Sequence, residues 1–170
     1  MSERLERHTQ RAFPPYAFVP GSGTPHPTGD PRGHSYTGER EEPPPWLPPE
    51  DWRSCEDYLW GVDLYNHGYL WEAHEAWEGL WHVSKHEPDM ADFLQGLIQC
   101  AAAALKVTMK NAKGVARLTE AGTGRLERVS QAHAGDYMGL DVEAFVDAMR
   151  EWAGSEPSEN DSRPRIALRR

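Results

Sequence analysis

Four side chains that can bind a metal ion or transfer a proton are concentrated in one short stretch of the chain. His74, Glu75, Glu78 and His82 follow one another at helical spacing. Residues three or four apart lie on the same face of an α-helix, so an imidazole and a carboxylate there can reach one ion. The pattern predicts a divalent-metal site with His74, Glu78 and His82 as ligands. Glu75 would then act as a base on metal-bound water, and the reaction would be a hydrolysis.

The same residues also fit a purely structural role. The stretch lacks the second His of the zincin motif, and the paired Glu-x-x-His motifs of di-iron bundles are missing. The candidates for a further ligand are His82, His67, His26 and His34. Because both the ligand set and a nucleophile are incomplete, a hydrogen-bonded His–Glu–Gln network that fixes the helix register is the favoured interpretation. The metal site remains the alternative because the cluster is so compact.

A second segment, residues 90–109, is apolar apart from a polar stripe at helical spacing, which includes Gln95, Gln99 and Lys106. Buried amides need hydrogen-bond partners, and the imidazole and carboxylates of the preceding helix could provide them. We therefore predict a polar His/Glu/Gln pocket between the second and third helices. Its predicted binding residues are Gln95, Gln99 and Trp71.

Five helices are predicted to position these residues. They run from Pro49 to Asn66, from about Tyr69 to about Ser84, from about Asp89 to Met109, over residues 111–129, and from Asp141 to Gly154. Gly68 suits the turn between the first two helices, which would form an antiparallel hairpin. Gly122 and Gly124 should weaken the second half of the fourth helix. No strand pattern competes, so the predicted fold is all-α, a compact multihelical bundle of about five helices.

The flanking segments differ from the helical domain, residues 49–153, in composition. Of the 14 prolines, 11 lie between Pro14 and Pro49, which predicts an extended arm over residues 1–48. The arm contains several aromatic residues, so we expect it to pack on the helices, with partial disorder as the alternative. Residues 154–170 are polar and charged and are predicted to be a disordered tail.

Composition narrows the classes of partner and location. The net charge of −9 and the lack of a basic stripe argue against nucleic acid as a partner. No signal peptide and no apolar run of membrane-spanning length is apparent. Cys55 and Cys100 have no metal-ligand spacing and are read as free thiols, which favours a cytoplasmic protein. The expected cofactor is at most one divalent metal, and the expected partner is another copy of the chain or another protein.

Two spaced motifs resemble those of a known family. The first consists of Tyr65, Asn66, Gly68, Tyr69, Glu72, Ala73, His74, Glu75, Glu78 and Trp81, and the second runs from Phe93 to Gln99. Together they resemble the domain of unknown function 309 family of small prokaryotic proteins, over about residues 55–120. The resemblance implies a compact multihelical fold and no established activity. The proline-rich arm and the tail lie outside the shared motifs and inherit nothing from them.

Overall fold

The computed structural model of the protein describes residues 5–169. Its helices are α1 (Glu56–Asn66), α2 (Leu70–Val83), α3 (Pro88–Thr108), α4 (Ala112–Ala132) and α5 (Val142–Gly154). A 3-10 helix, Pro49–Ser54, precedes α1, and a small antiparallel hairpin of β1 (Asp136–Tyr137) and β2 (Leu140–Asp141) joins α4 to α5. Each α-helix packs against the next one in sequence. The all-α prediction is therefore confirmed.

Local chemistry explains where the helices begin and end. The predicted first helix is interrupted because Cys55, with φ −83° and ψ 88°, leaves helical geometry, and α1 begins only after it. Gly68 has a φ of +90°, which a glycine adopts without strain, and it allows the sharp turn into α2. At α5, the Asp141 side chain accepts a hydrogen bond of 3.0 Å from the Ala144 amide, as an N-cap should.

The fourth helix continues unbroken through its glycines to Ala132, three residues beyond its predicted end. Gly122 and Gly96 lie where α4 and α3 approach each other most closely. A Cβ atom at Gly122 would lie 2.9 Å from the Gly96 carbonyl oxygen, and one at Gly96 would lie 2.6 Å from Leu126 Cγ. Tight packing between the helices therefore offsets the low helix propensity of glycine.

The β-hairpin was not predicted. Its two strands have two residues each, and both turn residues have positive φ, 46° at Met138 and 79° at Gly139. Met is not a residue that signals such a turn, so the sequence pattern is missing. The hairpin is held by contacts with the bundle instead. Tyr137 and Met138 are buried, and the hydroxyl of Tyr58 donates to the Met138 carbonyl oxygen at 3.1 Å.

The hydrophobic core lies where α3 packs between α2 and α4. Its largest fully buried side chains include Trp77, Tyr58, Tyr65, Phe93, Leu97 and Met149. The buried Trp77 indole donates from Nε1 to the Tyr58 carbonyl oxygen at 3.2 Å, which ties α2 to α1. This rigid pair of helices is the platform on which the candidate site is built.

The N-terminal arm lies along α1 and α2, and its described part, residues 5–48, contains no helix or strand. It is anchored on Asp63, a fully buried carboxylate of α1. That carboxylate accepts hydrogen bonds from the amides of His8 (2.8 Å) and Thr9 (2.9 Å) and from the Thr9 hydroxyl (2.7 Å). Arg7 completes the set with an ion pair at 3.2 Å. Aromatic contacts follow, since Phe13 stacks on Tyr69 with a centroid distance of 5.0 Å.

The C-terminal segment after α5 packs on the bundle over residues 163–169, which differs from the disordered tail expected from its composition. Asn66 forms two hydrogen bonds with the backbone of Ile166, at 2.8 and 2.9 Å. Ile166 is 2% exposed, and Leu168 pairs with Leu140 beside the hairpin. The contacts of Ile166 and Leu168 and the two hydrogen bonds of the Asn66 side chain thus order a polar segment. The predicted arm and tail also include residues 1–4 and 170, which lie outside the described residues.

None of the helices in residues 5–169 is both long enough and apolar enough to cross a membrane.

Candidate functional site

Helix α2 brings three of the predicted residues together on its surface. His74, Glu75 and Glu78 each offer one ligand atom, and these atoms lie within 4.8 Å of one another. His74 Nδ1 is 3.4 Å from Glu75 Oε1, and His74 Nε2 is 3.8 Å from Glu78 Oε2. The side chains are between 29 and 40% exposed, so an ion could reach them from solvent. We call this group the α2 cluster.

The electrostatics of the α2 cluster are dominated by carboxylates close to each other. Burial raises the pKa of Glu75 from its ordinary 4.5 to about 7, and the negative charges of Glu78 and Glu41 add to the shift. A carboxyl in such surroundings is stabilised by a proton or by a cation. Either one would relieve the repulsion between Glu75 and Glu78.

His82, predicted as a metal ligand, lies outside the α2 cluster. It is exposed, and its ring tilts against Trp81 with a centroid distance of 5.0 Å. Two helical turns separate it from His74, which is about 12 Å along the helix axis and too far for both to bind one ion. His67, another candidate, has its Nδ1 2.8 Å from the Asp63 carbonyl oxygen.

A cavity beside the α2 cluster differs in location from the polar pocket predicted between the second and third helices. This cavity, of about 360 Å³, lies instead between the arm and the α1–α2 hairpin, and α3 contributes no residue to its lining. Helix α2 contributes Trp71, Glu72, Glu75, Ala76 and Gly79. We call this space the arm cavity. Glu75 belongs both to its wall and to the α2 cluster, so the two are adjacent.

The two glutamines of α3 do not take part in either the α2 cluster or the arm cavity. Gln99 lies against α4, because a Cβ atom at Gly122 would be 3.1 Å from its Cβ. Its Oε1 is buried and has no hydrogen-bond partner among the described residues. Gln95 is half-buried. Helix α3 packs against both α2 and α4, so a polar stripe on it need not face α2.

Glu72 is a residue that sequence reasoning missed. The arm covers it and leaves it 6% exposed. Its Oε1 accepts a hydrogen bond of 2.8 Å from the Phe18 amide and lies 2.9 Å from His34 Nε2. Its Oε2 is buried and has no partner among residues 5–169. The only sequence signal for Glu72 is its place in the family motif.

The histidines of the arm have structural partners in the covered part of the site. His34 Nδ1 is 2.7 Å from the Ser35 hydroxyl, while its other nitrogen faces Glu72. His26 Nδ1 accepts from the Gly29 amide at 3.0 Å, and its ring packs edge-on against Trp71 at 5.2 Å. Trp71, predicted as a binding residue, lies in the wall of the arm cavity.

The fold and site define a small helical-bundle protein with a His/Glu cluster beside a cavity closed by its own N-terminal arm. Residues 58–118 match the family model described as "Domain of unknown function (DUF309)". The resemblance inferred from the two motifs is confirmed, because the matched residues include both of them. Searches of curated proteins and of solved structures give no match.

Proposed function

We propose that this protein binds a divalent metal ion through His74, Glu75 and Glu78 and uses it for hydrolysis. The observation that carries the proposal is the convergence of three potential ligand atoms within 4.8 Å. Metal–ligand distances are about 2.0–2.2 Å for these atom types, so the partly exposed side chains would close on the ion by small rotations. Glu75, assigned as a base from the sequence, is here the third ligand in place of His82.

Three protein ligands leave coordination positions open, which is typical of catalytic rather than structural metal sites. His74, Glu75 and Glu78 would hold the ion, and the ion would supply the activation of water that a hydrolysis needs. The arm cavity, which shares Glu75 with the α2 cluster, is the place where the substrate would be held.

The test is the metal content of the untagged protein, with added Zn²⁺ or Mn²⁺ titrated by calorimetry. The double variant His74→Ala/Glu78→Ala removes two proposed ligands. His82→Ala is the matched control, because it removes an exposed imidazole of the same helix that lies outside the α2 cluster. We expect one ion per chain in the parent and in His82→Ala, and none in the folded double variant. No binding by the parent, or equal binding by the double variant, would refute the metal site.

The alternative function is a non-enzymatic interaction or scaffold module. The i, i+4 pairing of His74 with Glu78 favours it, because such pairs stabilise helices without any ligand, by about 0.2–0.5 kcal/mol each. In that case the double variant would be slightly less stable than the parent, and neither would bind metal.

We propose a cytoplasmic location and no nucleic-acid partner. The two cysteines, Cys55 and Cys100, are free and buried, which supports a reducing compartment. The net charge of −9 disfavours contact with phosphate backbones.

A further inference from the structure

We propose that the arm cavity binds a short aliphatic diamine, an organic cation with one ammonium group at each end. This binding does not rest on the proposed metal site. The cavity lies between Glu72 and Glu75 of α2, Trp60 of α1, and Glu41 and Glu42 of the arm.

The charge of the wall suits a cation. The basic residues in the wall of the arm cavity are Arg11 and His34. Arg11 is already engaged, because its guanidinium pairs with Glu56 at 3.0 Å and with Asp57 at 3.2 Å. Four wall carboxyl groups remain, those of Glu41, Glu42, Glu72 and Glu75, with a single imidazole among them. The pKa of Glu75 is about 7, and a cation beside it would favour its ionised form. Such a cavity attracts cations and repels anions.

Glu72 contributes a buried charge to the wall of the arm cavity. Its side chain is 5% exposed, and one of its oxygens is occupied by the Phe18 amide and by His34. The other oxygen, Oε2, is buried without a partner among the described residues, and solvent does not reach it. An ammonium group in the cavity would be attracted by this weakly screened charge without a direct hydrogen bond to Oε2.

The arrangement of the wall carboxyl groups favours an organic dication over a metal ion. In residues 5–169, His74, Glu75 and Glu78 are the only group of three His, Cys, Asp or Glu side chains within metal-binding reach of one another. Glu41, Glu72 and Glu75 therefore do not all converge on one point. Carboxylates that do not converge match a cation whose charges are separated by a carbon chain.

The size and the lining of the arm cavity suit a small organic cation. The cavity volume of about 360 Å³ falls in the range of small-molecule sites. Apolar wall atoms come from Leu64, Ala76 and Pro44, which suit an aliphatic chain. Trp60 and Trp71 add indole rings, which attract ammonium groups. The Arg11 guanidinium, 6.0 Å from the Trp60 ring centroid, already makes this kind of contact.

The test is calorimetric titration of the full chain, in buffer with a chelator, with three probes of equal chain length. These are 1,4-diaminobutane, 1-aminobutane and 1,4-butanediol. We expect the diamine to bind at least about tenfold more tightly than the monoamine, because it forms a second ion pair, and the diol not to bind. Equal affinity for diamine and monoamine, or no diamine binding in the millimolar range, would overturn the proposal.

Three variants locate the binding. Glu72→Gln should weaken diamine binding at least about tenfold, since it removes the buried charge. The double variant Glu41→Gln/Glu42→Gln changes two exposed residues and should also weaken diamine binding. It keeps the test valid if Glu72→Gln does not fold. Glu151→Gln, an exposed residue of α5, is the charge-matched control. If Glu151→Gln weakens binding as much as the cavity variants, the attraction is non-specific and the proposal fails.

The metal proposal and the diamine proposal can be refuted independently of each other. His74→Ala/Glu78→Ala changes the α2 cluster and no residue that lines the arm cavity. We expect it to lose metal binding and to keep its diamine affinity. Loss of diamine binding in this folded variant would show that the diamine occupies the α2 cluster, which would also overturn the assignment to the arm cavity.

Discussion

Glu72 and Glu75 lie three residues apart on α2 but have different surroundings. The arm buries Glu72 and engages one of its oxygens, whereas Glu75 is 40% exposed and lies beside Glu78. The difference follows from the path of the arm and not from α2 itself. Sequence reasoning found Glu75, because its spacing from His74 and Glu78 is visible in one helix. It missed Glu72, because the residues that cover it, Phe18 and His34, are more than 35 positions away in sequence.

The pH dependence of stability should report on Glu75. Burial holds the pKa of its carboxyl at about 7 in the folded chain, compared with 4.5 ordinarily. The folded state therefore binds the proton more tightly than the unfolded state does. This stabilisation is fully present below about pH 4.5 and is lost as the pH rises through 7. Glu75→Gln, which resembles the protonated carboxyl, should therefore be more stable than the parent at high pH and similar to it at low pH.

The expected difference is about 1 kcal/mol near pH 8, smaller than the shift alone implies, because a side chain that is 40% exposed is screened by water. The measurement is urea unfolding at about pH 4 and about pH 8, with a chelator present to exclude metal effects. A variant less stable than the parent at the higher pH would contradict the raised pKa.

At the scale of the elements, the periodicity of the sequence predicted each helix. It predicted the ends of α2 and α3 to within a residue or two. It missed features that depend on two elements at once. The α3 glutamines were expected to face α2, but Gln99 lies against α4. The continuity of α4 through Gly122 depends on the close approach of Gly96. Single-helix patterns carry no information on which neighbour a face meets, so these relations could not be derived.

The two glycines of α4 allow the packing argument to be tested with a matched pair. Gly122→Ala would place a Cβ atom 2.9 Å from the Gly96 carbonyl oxygen, whereas a Cβ atom at Gly124 would meet nothing within 4 Å. We expect Gly122→Ala to destabilise the protein by about 1–2 kcal/mol, because overpacking outweighs the gain in helix propensity. Gly124→Ala should stabilise it by up to about 1 kcal/mol.

Urea unfolding of both variants beside the parent gives the comparison. Stabilisation by alanine at both positions would show that the contact between α3 and α4 has room for a methyl group, and that the glycines do not set the distance between these helices.

At the scale of the whole molecule, the arm determines whether there is a cavity at all. Helices α1 and α2 provide one wall, and residues between Arg11 and Pro44 provide the other. The arm's aromatic content suggested contact with the helices, but its path could not be predicted. That path depends on two carboxylates, Asp63 and Glu72, that accept backbone amides of the arm. Hydrogen bonds between distant residues leave no periodic signal in a sequence.

Asp63→Asn should therefore release the start of the arm while the helices stay folded. Asp63 is fully buried and accepts three hydrogen bonds from His8 and Thr9 besides its ion pair with Arg7. The asparagine side chain keeps one acceptor oxygen, but an NH₂ group replaces the other oxygen. This donor would face the donor groups of the arm. We expect a cost of about 2 kcal/mol, which corresponds to a roughly 30-fold larger population of the detached arm.

Hydrogen exchange of the amides of His8, Thr9 and Phe18 measures this release, because exchange follows the population of the open state. Asp57→Asn is the control, since Asp57 pairs with the arm residue Arg11 from a partly exposed position and should change exchange only slightly. Faster exchange at His8 and Thr9 alone would mean that Glu72 holds the middle of the arm independently. Faster exchange at Phe18 as well would mean that the arm closes the cavity as one unit. Equal effects of the two variants would show that Asp63 is not the anchor.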